Sequence, residues 1–177
     1  MNRRQWLLGA AGASAAVAGV GWQLWRERGA AGDTGGAGGD VPELWAMRFP
    51  QPAGGELVMA ERRGRPLLLN FWATWCPPCV KEMPELDRFQ REFAAQGWQV
   101  VGLAVDGPTP VREFLRRVPV SFAIGLAGFE GTDLSKRLGN AQGALPFTAA
   151  FDAKGRIVQR KLGETSFDEL SRWTGAL

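Results

Sequence analysis

A buried strand that runs almost directly into an amphipathic helix lies near the middle of this 177-residue chain. The run LLLNFW at residues 67–72 is nearly all apolar, which predicts a strand buried on both faces of a sheet. From Pro77 to about Gln96, apolar residues recur every three or four positions, the period of an amphipathic helix. Gly97 follows and suits the end of that helix. Only residues 73–76 therefore separate the predicted strand from the predicted helix.

Strands and helices alternate along the rest of the chain. A weaker pair of strands is predicted before the junction, around residues 45–49 and 56–59. After it, the apolar patterns predict strands at residues 98–105, 121–124, 147–151 and 156–162, and helices at 110–117, 132–138 and 166–173. This order predicts an α/β fold with a central mixed β-sheet and helices on both faces, formed by residues 41–177.

The first 28 residues have the pattern of an export signal, a membrane anchor, or both. Arg3 and Arg4 precede an uncharged stretch from Gln5 to Trp25, which as a helix is roughly 31 Å long, about the thickness of a bilayer's hydrocarbon core. The arginine pair resembles a twin-arginine export signal, and plain positive-inside orientation explains it equally well. No small-x-small cleavage site follows the apolar stretch, which favours retention as an anchor. Either way, we expect the rest of the chain outside the cytoplasm, on the periplasmic side of the inner membrane.

Residues 29–40 separate this segment from the predicted domain. They include six glycines and no large apolar side chain. Because such a segment cannot bury a core, we expect a flexible linker with a reach of roughly 19 Å.

The composition excludes several kinds of site. The chain has no histidine, which rules out Cys–His catalysis, haem attachment at Cys-x-x-Cys-His and Cys/His zinc sites. The net charge is only +3, with basic and acidic residues interspersed, which argues against nucleic-acid binding. No dinucleotide-binding fingerprint is present, so we expect no cofactor.

The two cysteines of the chain, Cys76 and Cys79, lie where the predicted strand meets the predicted helix. Their spacing lets a small disulfide ring close, and a helix N-terminus favours a thiolate. Pro77 fits the first helical position and biases Cys76 towards the extended conformation of an N-cap. We therefore expect Cys76 to be an exposed nucleophile and Cys79 a less exposed resolving thiol. A structural staple would remove little unfolded-state entropy from so small a loop, and a metal site would lack further soft ligands.

The segment FWATWCPPC at residues 71–79, with Glu82 and Pro84 after it and Leu145 and Pro146 downstream, resembles the thioredoxin superfamily. Within it, the sequence is most similar to the TlpA/ResA-like branch of membrane-anchored thiol-disulfide oxidoreductases, over residues 41–177. The resemblance implies a thioredoxin-like fold and disulfide exchange on exported proteins, often apocytochromes c awaiting haem.

The resemblance also implies catalytic roles. Cys76 matches the attacking cysteine and Cys79 the resolving one. Glu82 matches a glutamate that would have a raised pKa near the thiols and would carry the proton of the buried thiol. A solvent-facing acid in the first turn of the helix is the alternative. Asn70 occupies the position of thioredoxin's buried acid, and an amide cannot take that proton.

Substrate contacts and structural positions are implied in the same way. Pro146 matches a cis-proline opposite the cysteines, and Leu145 before it would offer backbone hydrogen bonds to an extended substrate. Trp75 and Pro77 complete the implied substrate-binding residues. Pro84 matches the proline that kinks the active-site helix.

The sequence favours reduction over oxidation as the direction of electron flow. Pro77 and Pro78 have no backbone N–H to stabilise a Cys76 thiolate, and no imidazolium is available. We expect a potential nearer the roughly −270 mV of thioredoxin than the roughly −120 mV of DsbA. Such a reductant must itself be reduced again after each reaction, so we expect an integral-membrane dithiol donor as a partner. We also expect the protein to be a monomer. A disulfide-forming oxidant and a Cu(I)-binding chaperone are the alternatives.

Overall fold

The computed structural model describes residues 38–175 of the chain. The predicted signal or anchor at residues 1–28 and the linker up to residue 37 lie outside the described residues. Within residues 38–175, no helix is long and apolar enough to span a bilayer.

The bounds of the elements follow the chain order. The strands are β1 Gly38–Asp40, β2 Arg48–Pro50, β3 Glu56–Val58, β4 Leu67–Trp72, β5 Gln99–Ala104, β6 Ala123–Leu126, β7 Phe147–Phe151 and β8 Arg156–Leu162. The α-helices are α1 Pro42–Trp45, α2 Pro77–Phe93, α3 Pro108–Arg117, α4 Gly131–Arg137 and α5 Phe167–Thr174.

Six of the strands form one mixed sheet in the order β1-β8-β7-β4-β5-β6. Strands β4, β5 and β6 are parallel, whereas β7 is antiparallel to β4 and β8 is antiparallel to β7. The carboxyl ends of β4, β5, β6 and β8 therefore lie at the same edge as the amino end of β7. This edge is where the candidate site forms.

Both faces of the sheet are covered by apolar residues, as the near-continuous apolar run of β4 predicted. Leu68 belongs to a cluster that includes residues of α2 and α5, and Leu69 to a second cluster that includes residues of α1 and α4. Side chains of successive strand residues point to opposite faces, so the two clusters lie on opposite sides of the sheet. The predicted α/β fold, with a central mixed sheet between helices, is confirmed.

Some boundaries differ from the predicted ones. Strand β6 begins two residues later than expected, because the N–H and hydroxyl of Ser121 donate to Asp87 Oδ1 of α2 at 2.5 and 2.6 Å. Trp45 lies in the short helix α1, and β2 pairs with β3 in a separate two-stranded sheet. Residues 38–40 form strand β1 and not part of the linker that the sequence predicts, because backbone pairing with β8 needs no large side chains.

Candidate active site

Cys76 occupies the N-cap of α2, just beyond the end of β4. Its backbone is extended, with φ −101° and ψ 102°, and Pro77 is the first helical residue, as the sequence predicted. The N–H of Cys79 donates to Cys76 Sγ at 3.3 Å. The N-terminus of the helix thus directs a backbone donor at the sulfur that would carry a negative charge.

The two cysteines form a disulfide with an S–S distance of 2.07 Å. Cys79 is fully buried and Cys76 is 5% exposed. The expected order of exposure is confirmed, but the expectation that Cys76 is an exposed side chain is wrong. In the disulfide its sulfur is bonded to a buried sulfur, and the residue packs within the apolar cluster that contains Trp72 and Met83.

The implied substrate-binding residues lie at the same edge of the sheet. Trp75 is 62% exposed beside the disulfide, and Pro77 is exposed. The peptide bond between Leu145 and Pro146 is cis, as the resemblance implied. Pro146 immediately precedes β7, whose first residue pairs with Phe71 near the carboxyl end of β4. The structure therefore brings the disulfide and the cis-proline to one edge.

Glu82 is fully buried one turn along α2 from Cys79. Because the two residues are three positions apart, their Cβ atoms lie on one face of the helix, about 5–6 Å apart. Burial excludes the alternative of a solvent-facing acid in the first turn. Desolvation raises the pKa of Glu82 to about 7, and the nearby charge of Glu164 adds to this, while hydrogen bonds from Thr165 and Asn70 act in the opposite direction.

Side chains on β4 and in the loop after β8 donate to the Glu82 carboxyl group, and a side chain on β7 holds the first of them. Asn70 Nδ2 donates to Glu82 Oε1 at 2.7 Å and to Thr148 Oγ1 at 3.0 Å. The N–H and the hydroxyl of Thr165 donate to Glu82 Oε2 at 2.8 and 2.9 Å. Sequence reasoning missed both threonines, since Thr165 is 83 residues from Glu82 and no local pattern connects them. It also treated Asn70 only as a missing acid.

A second polar contact fixes the loop that leads into Cys76. The N–H and hydroxyl of Thr74 donate to Oδ2 of Asp106, at 3.0 and 2.6 Å; Asp106 lies two residues after the end of β5. Asp106 Oδ1 also accepts from the N–H of Gly107 at 2.7 Å. The only sequence signal for this contact was that β4 and β5 are neighbouring parallel strands ending at the same edge.

Pro84 lies inside α2 and is exposed, and the helix continues past it to Phe93. A proline at this position cannot donate a backbone hydrogen bond within the helix. Among residues 38–175, no group of three or more Cys, Asp or Glu side chains is arranged to hold a metal ion.

The family model for Redoxin matches residues 39–176. The thiol-disulfide oxidoreductase ResA of Bacillus cereus is 29% identical over 119 residues, which are 66% of this chain and 66% of that protein. ResA of Geobacillus kaustophilus is 30% identical over 122 residues, 67% of each chain. The chain thus spans about two thirds of the length of these curated relatives.

A solved structure supports the same relationship. The structure of dsbF of Mycobacterium tuberculosis, in its mixed oxidised and reduced forms, has a TM-score of 0.65 and 27% identity, covering 77% of this chain and 98% of that chain. Since the family match extends from β1 through α5, the chain belongs to the Redoxin family, and within it to the ResA-like thiol-disulfide oxidoreductases with a thioredoxin-like fold.

Proposed function

We propose that this protein reduces disulfides in exported proteins, such as apocytochromes c, by means of the Cys76–Cys79 pair. The observation that supports this most strongly is the disulfide at the N-terminus of α2, with a buried carboxyl group one turn away. Such a pair can donate two electrons as its disulfide closes and accept two as its disulfide opens, and Glu82 can hold the proton that each change requires.

The first step is attack on the substrate. In the reduced protein, the Cys76 thiolate attacks one sulfur of a substrate disulfide, and a mixed disulfide forms while the second substrate sulfur leaves as a thiolate. Helix α2 favours the attacking thiolate through its N-terminal dipole and the N–H of Cys79. Trp75 and the backbone of Leu145 contact the substrate segment around its cysteine.

The second step resolves the mixed disulfide. Glu82 takes the proton of the Cys79 thiol, and the resulting thiolate attacks Cys76 Sγ. The Cys76–Cys79 disulfide forms, the substrate leaves as a second thiolate, and two electrons have passed to the substrate. A carboxyl group whose pKa is about 7 is matched to this task, because it can both accept and release a proton near neutral pH.

The donors near Cys76 set the direction of electron flow. Pro77 and Pro78 have no N–H, so among the described residues it is the N–H of Cys79 that donates to Cys76 Sγ. Fewer donors stabilise the reduced thiolate less, which lowers the potential and favours a reductant. An integral-membrane dithiol donor would then return the pair to its reduced state.

The arrangement of the whole chain is part of the proposal. Residues 1–28 route the protein to the membrane or anchor it there, residues 29–37 act as a linker, and the catalytic domain, which begins with β1, lies on the periplasmic side. The Arg3-Arg4 pair with its uncharged stretch and the glycine-rich segment support this division.

Trapping of the mixed disulfide tests the proposed chemistry. In Cys79→Ala, Cys76 attacks a peptide disulfide but the intermediate cannot be resolved, so we expect a covalent adduct of the full-length protein by mass spectrometry. Cys76→Ala is the matched control and forms far less adduct, because Cys79 is fully buried. Equal trapping by both variants, or trapping by neither, would contradict the assignment of Cys76 as the nucleophile.

A further inference from the structure

The proposed function leaves one feature of the Glu82 site unexplained, namely the carbonyl oxygen of the Asn70 side chain. The Nδ2 atom of this amide donates to both Glu82 and Thr148, but Oδ1 is buried and has no hydrogen-bond partner among the described residues. Buried polar atoms in this state are rare in folded proteins, and each needs a specific reason.

The hydrogen bonds in the structure fit one protonation state of Glu82. Asn70 Nδ2 and the N–H and hydroxyl of Thr165 all donate to the carboxyl group. This set suits an ionised carboxylate, which only accepts hydrogen bonds. A carboxylic acid instead has an O–H to donate and needs an acceptor. Within this set, the hydroxyl of Thr165 can accept, and Asn70 can accept only if its amide turns over.

We propose that Asn70 is a positioning residue whose amide serves both protonation states of Glu82. Its Nδ2 donates to the carboxylate, and after a half turn its Oδ1 accepts a hydrogen bond from the carboxylic acid. This inference rests on the proposed function, in which Glu82 takes a proton from Cys79 and later releases it.

Thr148 allows the half turn to occur without losing the second hydrogen bond of the amide. A hydroxyl group both accepts and donates, so Thr148 Oγ1 accepts from Nδ2 in one state and its O–H donates to Oδ1 in the other. Because Asn70 Oδ1 has no hydrogen-bond partner among the described residues, no contact on that side of the amide holds it in one orientation. A fixed donor to Oδ1 would hold the amide in the orientation that favours the carboxylate.

No charged group near Glu82, among the described residues, can both donate to its carboxylate and accept from its carboxylic acid. Strands β4, β5 and β7 carry no titratable side chain. Glu164 raises the pKa of Glu82 through its charge, but it pairs with Lys81. Other ionisable groups on α2 and on the segment from β8 to α5 also have partners: Glu85 accepts from the N–H of Phe167, Arg88 interacts with Glu92 and Asp168, Asp87 pairs with Arg91, and Lys161 pairs with Glu169.

Titration of Glu82 in the oxidised full-length protein tests the first half of the proposal. Glutamate labelled with ¹³C at the carboxyl carbon gives one signal per residue, and Glu82 is identified by its absence in Glu82→Gln. Asn70→Leu removes a hydrogen bond from both protonation states, but the bond to the carboxylate is charge-assisted and the stronger of the two, so we expect the midpoint to rise by about one pH unit or more. Thr148→Val leaves the donor in place but removes the group that orients the amide, which weakens the directional, charge-assisted hydrogen bond to the carboxylate more than the neutral one; we expect a smaller shift in the same direction.

A matched control separates this effect from general destabilisation. Leu69→Ala removes apolar packing on the opposite face of the same strand, next to Asn70, and has no polar contact with Glu82. We expect its midpoint to equal that of the parent protein. An unchanged midpoint in Asn70→Leu, or an equal shift in Leu69→Ala, would overturn the positioning role. If Asn70→Leu does not fold, the comparison of Thr148→Val with Leu69→Ala carries the same test.

The half turn of the amide has its own readout in the parent protein. An NMR coupling across the hydrogen bond, between the Asn70 side-chain nitrogen and the Glu82 carboxyl carbon, is expected above the midpoint and lost below it. Persistence of the coupling below the midpoint would overturn the half turn. The disulfide stays closed in these measurements, so they are independent of electron flow. Conversely, unchanged thiol reactivity in Glu82→Gln would overturn the proton transfer alone.

Discussion

At the scale of single residues, the site depends on which atoms near Cys76 can donate a hydrogen bond. The N–H of Cys79 is 3.3 Å from Cys76 Sγ, and the two intervening residues are prolines. A donor added between the cysteines would stabilise the reduced thiolate and raise the potential. Substitution of the two residues between the cysteines is therefore the most direct way to change the reduction potential of the pair.

Substitution of Pro78 tests this dependence. Pro78→His adds an N–H and an imidazole at an exposed position, so we expect the potential of the pair to rise by about 30 mV or more, the equivalent of a tenfold change in the exchange equilibrium. Equilibration with glutathione buffers measures it. Pro84→Ala, in the same helix but beyond the cysteines, is the control and should shift the potential less. A potential that is unchanged or lowered in Pro78→His would refute the argument.

Glu82 supplies a second residue-scale prediction. Glu82→Gln removes the proton acceptor but keeps the size of the side chain, so resolution of a mixed disulfide by Cys79 should slow by about 10²-fold or more at pH 7. Attack by Cys76 should change much less. Stopped-flow release of a bound peptide thiol measures the second step, and alkylation of Cys76 measures the first. Equal slowing of both steps would assign Glu82 a general structural role.

At the scale of elements, α2 is fastened to the rest of the domain by polar contacts as well as by its apolar face. Asp87, which is 5% exposed, accepts from the N–H and hydroxyl of Ser121 before β6 and pairs with Arg91. This contact joins the active-site helix to the loop between α3 and β6. It lies eleven residues along α2 from Cys76, roughly 16 Å at 1.5 Å per residue.

Loss of this contact should affect stability and leave the redox chemistry unchanged. Asp87→Ala removes the acceptor of the Ser121 donors, so we expect the free energy of unfolding to fall by about 2 kcal/mol in urea titrations. Asp133→Ala breaks an exposed pair with Lys136 in α4 and should cost less than about 0.5 kcal/mol. The potential should be unchanged in both variants. Equal stabilities of the two variants would contradict the role given to Asp87.

The elements could largely be predicted from sequence, and the polar contacts between them could not. The apolar run of β4 and the three-to-four-residue period of α2 are local patterns, and both elements form where predicted. The donors to Glu82 come from β4 and the loop after β8, and the threonine that accepts from Asn70 comes from β7, so these contacts become visible only when the strand order is known. The late start of β6 has the same cause, since it depends on Asp87 of a distant helix.

At the scale of the whole molecule, the buried carboxyl group makes folding depend on pH. Burial raises the pKa of Glu82 from 4.5 to about 7, so the folded protein binds this proton more tightly than the unfolded chain. The stabilising effect of the proton is fully present below pH 4.5 and is lost as the pH rises through about 7. The loss corresponds to about 3 kcal/mol for a shift of this size.

Urea unfolding of the oxidised protein between pH 5 and pH 8 tests this linkage. We expect the free energy of unfolding to fall across the range by an amount on the order of 3 kcal/mol. In Glu82→Gln the same curve should be much flatter, because the titrating group is gone. A parent protein whose stability rises with pH over this range would contradict the assignment of a raised pKa to Glu82.

The midpoint potential of the Cys76–Cys79 pair in the full-length protein decides between a reductant and an oxidant. Equilibration with glutathione buffers at pH 7, followed by alkylation and mass spectrometry, gives the fraction of reduced protein at each potential. For a reductant with few hydrogen-bond donors at Cys76, we expect a value nearer roughly −270 mV than roughly −120 mV. A value above about −180 mV would contradict this expectation and identify the protein as an oxidant.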